Sequence, residues 1–156
     1  MNEDILGLIM SSPVVTVTIK DTIGSAADIM VKHEIGSIVV LDDDIPIGIV
    51  TERDIVKLLV KKKDALQKPL KTLLSKPLIT ATSRTSVQKA LETMLRHKIR
   101  RLPIIDRKRL LGIVTEKDLM RWVVRVSYEP EIPQHIRLHL VKSVRPNIVS
   151  SPEISR

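Results

Sequence analysis

A chain of 156 residues with 43% hydrophobic content is long enough to bury a sizeable core and too apolar to remain disordered. The absence of cysteine excludes disulfides, thiolate metal sites and a cysteine nucleophile; no run of about 18 apolar residues suggests a membrane span, and the opening Met-Asn-Glu-Asp carries acid where a signal peptide carries bases, so a cytoplasmic protein is expected. The net charge of +8 is uneven: residues 1–60 hold 4 Lys/Arg against 10 Asp/Glu, and residues 61–156 hold 22 against 8, giving −6 and +14.

In chain order, residues 2–10 have Ile5, Leu6 and Ile9 at the spacing of a short amphipathic helix, and residues 14–18 form an extended stretch. Ile23, Ala26, Ala27, Met30 and Val31 recur at helical spacing behind an Asp21/Thr22 cap, predicting a helix over 22–34. Two β-branched strands follow, 35–41 and 46–50, joined by the acidic turn Asp42-Asp43-Asp44. Thr51 then caps a helix over 52–62, with acids in its first turn as the helix dipole favours. A polar linker, Lys61-Lys62-Lys63-Asp64, leads to residues 66–74, which occupy the place that 2–10 held before.

From there the pattern starts again. Residues 11–60 repeat without a gap at 75–124, at a constant offset of 64, with Pro13/Pro77, Thr16/Thr80, His33/His97, Gly48/Gly112, Thr51/Thr115 and Asp54/Asp118 in register. Identity is densest in Gly-Ile-Val-Thr-Glu-Arg-Asp (48–54) against Gly-Ile-Val-Thr-Glu-Lys-Asp (112–118). The second copy predicts an extended stretch at 78–82, a helix over 86–98, strands over 99–105 and 109–114, and a helix over 115–126. The period exceeds the ~20 to 50 residues of solenoid repeats, so each copy is expected to be a small α/β (α+β) unit of order β-α-β-β-α that buries an apolar face against the other. The expected division is 1–62, 63–126 and a C-terminal extension 127–156 that holds a helix over 134–144 between prolines and ends loosely ordered.

The paired Gly-hydrophobic-hydrophobic-Thr-x-x-Asp motifs, each behind a His-x-Ile strand, with the Ile-Met-Ser-x-Pro lead-in at 9–13, resemble the CBS domain, whose tandem pairs are called Bateman modules. The resemblance covers residues 5–125. It implies two units related by a pseudo-twofold, a homodimer forming a disc of four units, and regulation by an adenosine ligand rather than catalysis. A helix start offers free amides and partial positive charge to a phosphate, and an Asp one turn on can accept from both ribose hydroxyls. Thr51/Asp54 and Thr115/Asp118 would each begin one nucleotide site.

Carried over residue by residue, the resemblance gives one site of Ile113, Thr115 and Asp118, with Val15, Ile35, Gly36 and Ser37 around the base and Arg100 and Arg101 near the phosphates. The other combines Ile49, Thr51 and Asp54 with Ile79 and Ile99, and has Gly36 and Ser37 where the arginines stood. Guanidinium forks suit phosphate oxygens and Gly-Ser does not, so the Asp118 site is expected to bind a charged nucleotide more tightly. AMP, ADP, ATP and S-adenosylmethionine all carry the adenosine that Asp118 would read.

Three other readings compete. The Thr–Asp pairs also suit plain helix caps. His33 and His97 are repeat-related, but neither has a His or Cys at ligand spacing and each ends a helix, where the dipole favours histidine, so no metal site is expected. Arg96, Lys98, Arg100, Arg101, Arg107, Lys108 and Arg109, with Arg137, Lys142 and Arg145 in the tail, suit salt-dependent contact with nucleic-acid phosphates. With no Phe, one Trp (Trp122) and one Tyr (Tyr128), base-stacking platforms are missing, and Trp122 is assigned to the core or a dimer interface. The acidic first half and basic second half also suit a head-to-tail dimer.

Overall fold

The computed structural model describes residues 4–74 and 77–128; the expected helix over 134–144 and the basic residues of the tail lie outside them. The first unit runs β1 (Thr16–Thr18), α1 (Ile23–Lys32), β2 (Ser37–Asp42), β3 (Ile45–Thr51) and α2 (Glu52–Lys61). The second runs α3 (Val87–His97), β4 (Arg101–Asp106), β5 (Arg109–Thr115) and α4 (Glu116–Tyr128). Each helix starts where the sequence supplies a cap: Thr22 Oγ1 accepts from Ser25 N–H at 3.1 Å, and Ser86 Oγ from Lys89 N–H at 3.2 Å.

β2 is the central strand of the first sheet, parallel to β1 and antiparallel to β3. A parallel pair needs a crossover, which α1 provides. In the second unit β4 and β5 form the antiparallel pair, and the extended stretch expected at 78–82 contracts to one parallel bridge, Ala81 to Ile104. The register shifts between Val40 and Leu41 and again between Ile104 and Ile105, the same repeat position. Both hairpins turn through two left-handed residues, Asp43 and Asp44 (φ 43° and 63°) and Arg107 and Lys108 (φ 48° and 66°), the backbone hand that matches strand twist.

Alternation sorts the strand faces. In β3, Pro46, Gly48 and Val50 are buried while Ile47, Ile49 and Thr51 are half-buried; β5 repeats this with Gly112 and Val114 buried and Ile113 and Thr115 half-buried. Each sheet covers one apolar cluster, Val17, Ile23, Ala26, Met30, Ile38, Val40, Val50 and Ile55 in the first unit, and Val87, Ala90, Met94, Leu102, Ile104, Val114 and Leu119 in the second.

Each cluster is completed by a leucine from the other side of the chain. Leu70, which precedes the second copy, is fully buried in the first cluster, and Leu6, which precedes the first copy, is fully buried in the second. Backbone bonds fix the exchange: Leu6 N–H donates to Thr85 O (2.9 Å) and Gly7 N–H to Ser83 O (2.8 Å), while Ile23 N–H donates to Lys68 O (2.9 Å) and Leu70 N–H to Asp21 O (2.9 Å). The helix expected over 2–10 is therefore replaced, within the described residues, by a single 3-10 turn (Leu6–Leu8), and residues 66–74 by two, Ala65–Gln67 and Leu70–Leu73. The backbone donors that would close these helices are used across the seam, and Pro69 cannot donate at all.

Candidate functional site

Both Thr–Asp motifs lie at the mouths of α2 and α4, at the ends of β3 and β5. Thr51 N–H and Oγ1 donate to Asp54 Oδ2 at 3.0 and 2.6 Å, and Asp54 N–H donates back to Thr51 Oγ1 at 3.3 Å. Thr115 and Asp118 repeat this at 2.9, 2.6 and 3.2 Å. These are reciprocal capping boxes, so the cap role expected as one alternative is realised in both copies. It leaves Oδ1 of each carboxylate outside the box. Asp118 Oδ1 faces Arg121 at 3.6 Å, in a side chain only 15% exposed; Asp54 Oδ1 makes no hydrogen bond among the described residues. The threonine hydroxyl has one proton, held by Asp Oδ2, so contact with an anion requires that proton to swing away.

The residues before β2 and β4 border the two mouths. Gly36 O accepts from Glu52 N–H (3.3 Å) and Ser37 pairs with Thr51; Arg100 O accepts from Glu116 N–H (2.9 Å) and Arg101 pairs with Thr115. The two arginines then part. Arg100 stays at its own mouth, its Nε 3.6 Å from Glu116 Oε2. Arg101 sends its guanidinium across the seam: a Cβ placed on Gly36 would stand 2.6 Å from Arg101 Nη2 and 3.0 Å from Glu52 Oε2. Sequence reasoning assigned both arginines to the Thr115 mouth, because strand position is legible in a repeat and the reach of a long side chain into the other unit is not.

The apolar candidates fall into two groups. Ile49 and Ile113 are half-buried on the strand faces turned away from the clusters. Val15 and Ile35 pack on the first cluster, Ile79 and Ile99 on the second. Ile113 is also held by the lead-in of the first copy: Ser11 N–H donates to Ile113 O (2.9 Å) and Ile113 N–H to Ser11 O (3.1 Å). That bridge brings the chain just ahead of Val15 beside β5, while Leu74 packs over Gly48 in β3. A cleft of about 380 Å³ opens elsewhere on the seam, between the hairpin turns, lined by Val14, Thr16, Leu41, Asp44, Lys108 and Leu111 among others; none of the candidate nucleotide-site residues lines it, though Lys108 and Arg109 of the basic run do.

Ser83 and Asp106 form a pair that sequence spacing did not reveal, since they lie 23 positions apart. Ser83 N–H and Oγ donate to the Asp106 carboxylate at 3.2 and 2.5 Å, and these bonds hold its carboxyl below the usual aspartate range. His33 caps the C-terminus of α1 and His97 ends α3, both exposed, and the described residues contain no group of three His, Asp or Glu placed to hold a metal. Within the basic run, Arg101 and Arg107 lie at opposite ends of β4, on the order of 20 Å apart at ~3.3 Å per residue. Trp122 is half-buried against the second cluster.

The CBS domain family matches residues 3–61 and 70–125. The chain is 36% identical over 110 residues to the CBS domain-containing protein YhcV of Bacillus subtilis, covering 70% of this chain and 79% of that one. It is 33% identical over 138 residues to hypoxic response protein 1 of Mycobacterium tuberculosis, covering 87% and 90%. Among solved structures, it resembles hypoxic response protein I with two coordinated zinc ions (TM-score 0.68, 33% identity, 76% and 98% covered). It also resembles the CBS domain pair of protein MJ0100 in complex with 5′-methylthioadenosine and S-adenosyl-L-methionine (TM-score 0.70, 28% identity, 78% and 96% covered). With the two repeats, their exchanged lead-ins and both capped mouths in place, the chain belongs to the CBS domain family and carries two CBS domains in tandem.

Proposed function

We propose that this chain is a regulatory module that binds an adenosine-containing ligand, AMP, ADP or ATP, at the seam between its two units and passes the ligand state to a partner protein. The observation that supports this most is the paired geometry: two Thr–Asp boxes, each presenting a carboxylate oxygen at a helix N-terminus, bordered by an apolar strand face and by arginine. The carboxylate would take the ribose hydroxyls, the partial positive charge of the helix start and an arginine the phosphates, and Ile49 or Ile113 a face of the adenine. Charge-assisted bonds of this type contribute about 1.5–3 kcal/mol each. S-adenosylmethionine is the second reading, favoured by the complex of the similar MJ0100 pair; the arginines at the mouths favour phosphate over sulfonium.

A second copy of the chain is the expected structural partner. Val31 and Leu95, Val56 and Met120, and Val60 and Val124 are repeat-related apolar side chains exposed on the helices of both units, so a twofold partner would cover equivalent stripes with one surface. Among the described residues no helix is long and apolar enough to cross a membrane.

The test is calorimetric titration with AMP, ATP and S-adenosylmethionine of the wild type, Asp118→Asn and Asp54→Asn. Asparagine keeps an acceptor for the capping box and removes the charge that reads the ribose. Each variant is expected to lose about tenfold or more in affinity at its own site with little change in melting temperature. Unchanged affinity in both variants would show that the carboxylates only cap their helices, and binding of DNA alone would favour the phosphate-backbone alternative.

A further inference from the structure

We infer that the cleft between the two hairpin turns is a second ligand site, separate from the helix mouths, and that it takes a free α-amino acid with an aliphatic side chain. This does not rest on the adenosine reading above.

The repeat copies the turns and changes their charge. Asp43 and Asp44 stand at the repeat offset from Arg107 and Lys108, and all four are left-handed. The same backbone therefore carries carboxylates in the first unit and cations in the second. Asp44 lines the cleft from the first unit, Lys108 and Arg109 from the second. None of the three makes an ion pair among the described residues, so one cleft holds both signs of charge without neutralising them.

Its other walls are largely apolar. Val14, Leu41, Leu110 and Leu111 line it and are half-buried. Alternation turns Val14 and Thr16 away from the first cluster, on which Val15 and Val17 pack. The register shift after Val40 takes Leu41 out of the row of buried β2 side chains, as a bulge re-aims the residue that follows it. A volume of about 380 Å³ falls within the ~300–1,000 Å³ of small-molecule sites.

An aliphatic amino acid matches each part of this lining. Its carboxylate pairs with Lys108 and the Arg109 fork, its ammonium with Asp44, and its side chain covers the aliphatic wall. A simple carboxylate leaves Asp44 unmatched, an amine leaves both cations unmatched, and a phosphate adds negative charge beside Asp44. The cleft is also apart from the mouths: Thr115 lies four residues beyond Leu111 on β5, roughly 13 Å at ~3.3 Å per residue. Because its charged walls come from different units, occupancy fixes the spacing of the two hairpins.

The experiment titrates the full chain with L-leucine, with isocaproate, which lacks the ammonium, and with isoamylamine, which lacks the carboxylate, following the backbone amides of both turns by NMR. L-leucine is expected to saturate at millimolar concentration or below and each analogue to bind about tenfold more weakly or worse. Asp44→Asn and Lys108→Asn place at each turn a residue that accepts the left-handed region, so the fold is kept. Asp44→Asn should weaken L-leucine about tenfold and leave isocaproate within about twofold, whereas Lys108→Asn should weaken both. Asp54→Asn and Asp118→Asn should leave L-leucine unchanged. The inference is overturned if L-leucine does not saturate, if isocaproate binds as well as L-leucine, which would make the cleft a plain anion site, or if binding follows the aspartates of the mouths instead of Asp44.

Discussion

Two aspartates at the mouths and a third at a hairpin show what a single side chain contributes here. The Thr-x-x-Asp boxes were legible because a capping box is a local spacing rule that needs no knowledge of the fold. The place of Arg101 was not, since its direction depends on how the units meet and on the missing Cβ of Gly36. Asp106 shows the same divide, because its partner Ser83 arrives through tertiary packing. Its folded carboxyl is held below the unfolded value by hydrogen bonds from Ser83. The unfolded chain therefore takes up a proton first as pH falls, so the stabilisation is complete above about pH 4 and is lost below it as the folded carboxyl protonates. Urea unfolding at pH 7 and pH 3 is expected to show that Ser83→Ala destabilises the protein at pH 7 and much less at pH 3. An equal loss at both values would mean that Ser83 acts by packing alone.

At the scale of elements, the four long helices and the two hairpins follow from periodicity and turn chemistry. The first helix expected, over 2–10, fails for a physical reason: Leu6 and Gly7 donate their amides to the loop before α3. Helix ends carry their own test. Lys98 caps α3 in the left-handed region at φ 54°, a conformation that costs an ordinary L-residue roughly 1–2 kcal/mol. Lys98→Gly is therefore expected to stabilise the protein by about 0.5–1 kcal/mol, after the extra freedom of glycine in the unfolded chain is subtracted. Chemical denaturation measures this, and a loss of stability would mean that the lysine side chain contributes more than its backbone strain costs.

Across the whole molecule, the repeat predicted two similar units but not that each finishes the other's core. Residues 6 and 70 stand at the repeat offset, yet sequence order assigns each to the unit that follows it, and the chain places each in the opposite one. The exchange makes the pair the folding unit. Leu6→Ala is expected to cost about 2–5 kcal/mol and to reduce amide-exchange protection chiefly in α3, β4 and β5, more than 80 residues along the chain from the substitution. Loss confined to β1 and α1 would contradict the exchange. The same arrangement would give the proposed sensor its means of coupling, since a ligand bound as proposed at either mouth would touch residues of both units and bias how they sit together.

The most direct test of that claim is calorimetric titration of the purified chain with AMP, ATP and S-adenosylmethionine, followed by melting with each ligand at saturation. Saturable binding of at least one, with a stabilisation of about 2.7 kcal/mol at a hundredfold excess over Kd, is the expected result. No heat and no shift in melting temperature with any of the three would contradict it, and would reduce the Thr–Asp pairs to the helix caps they already form.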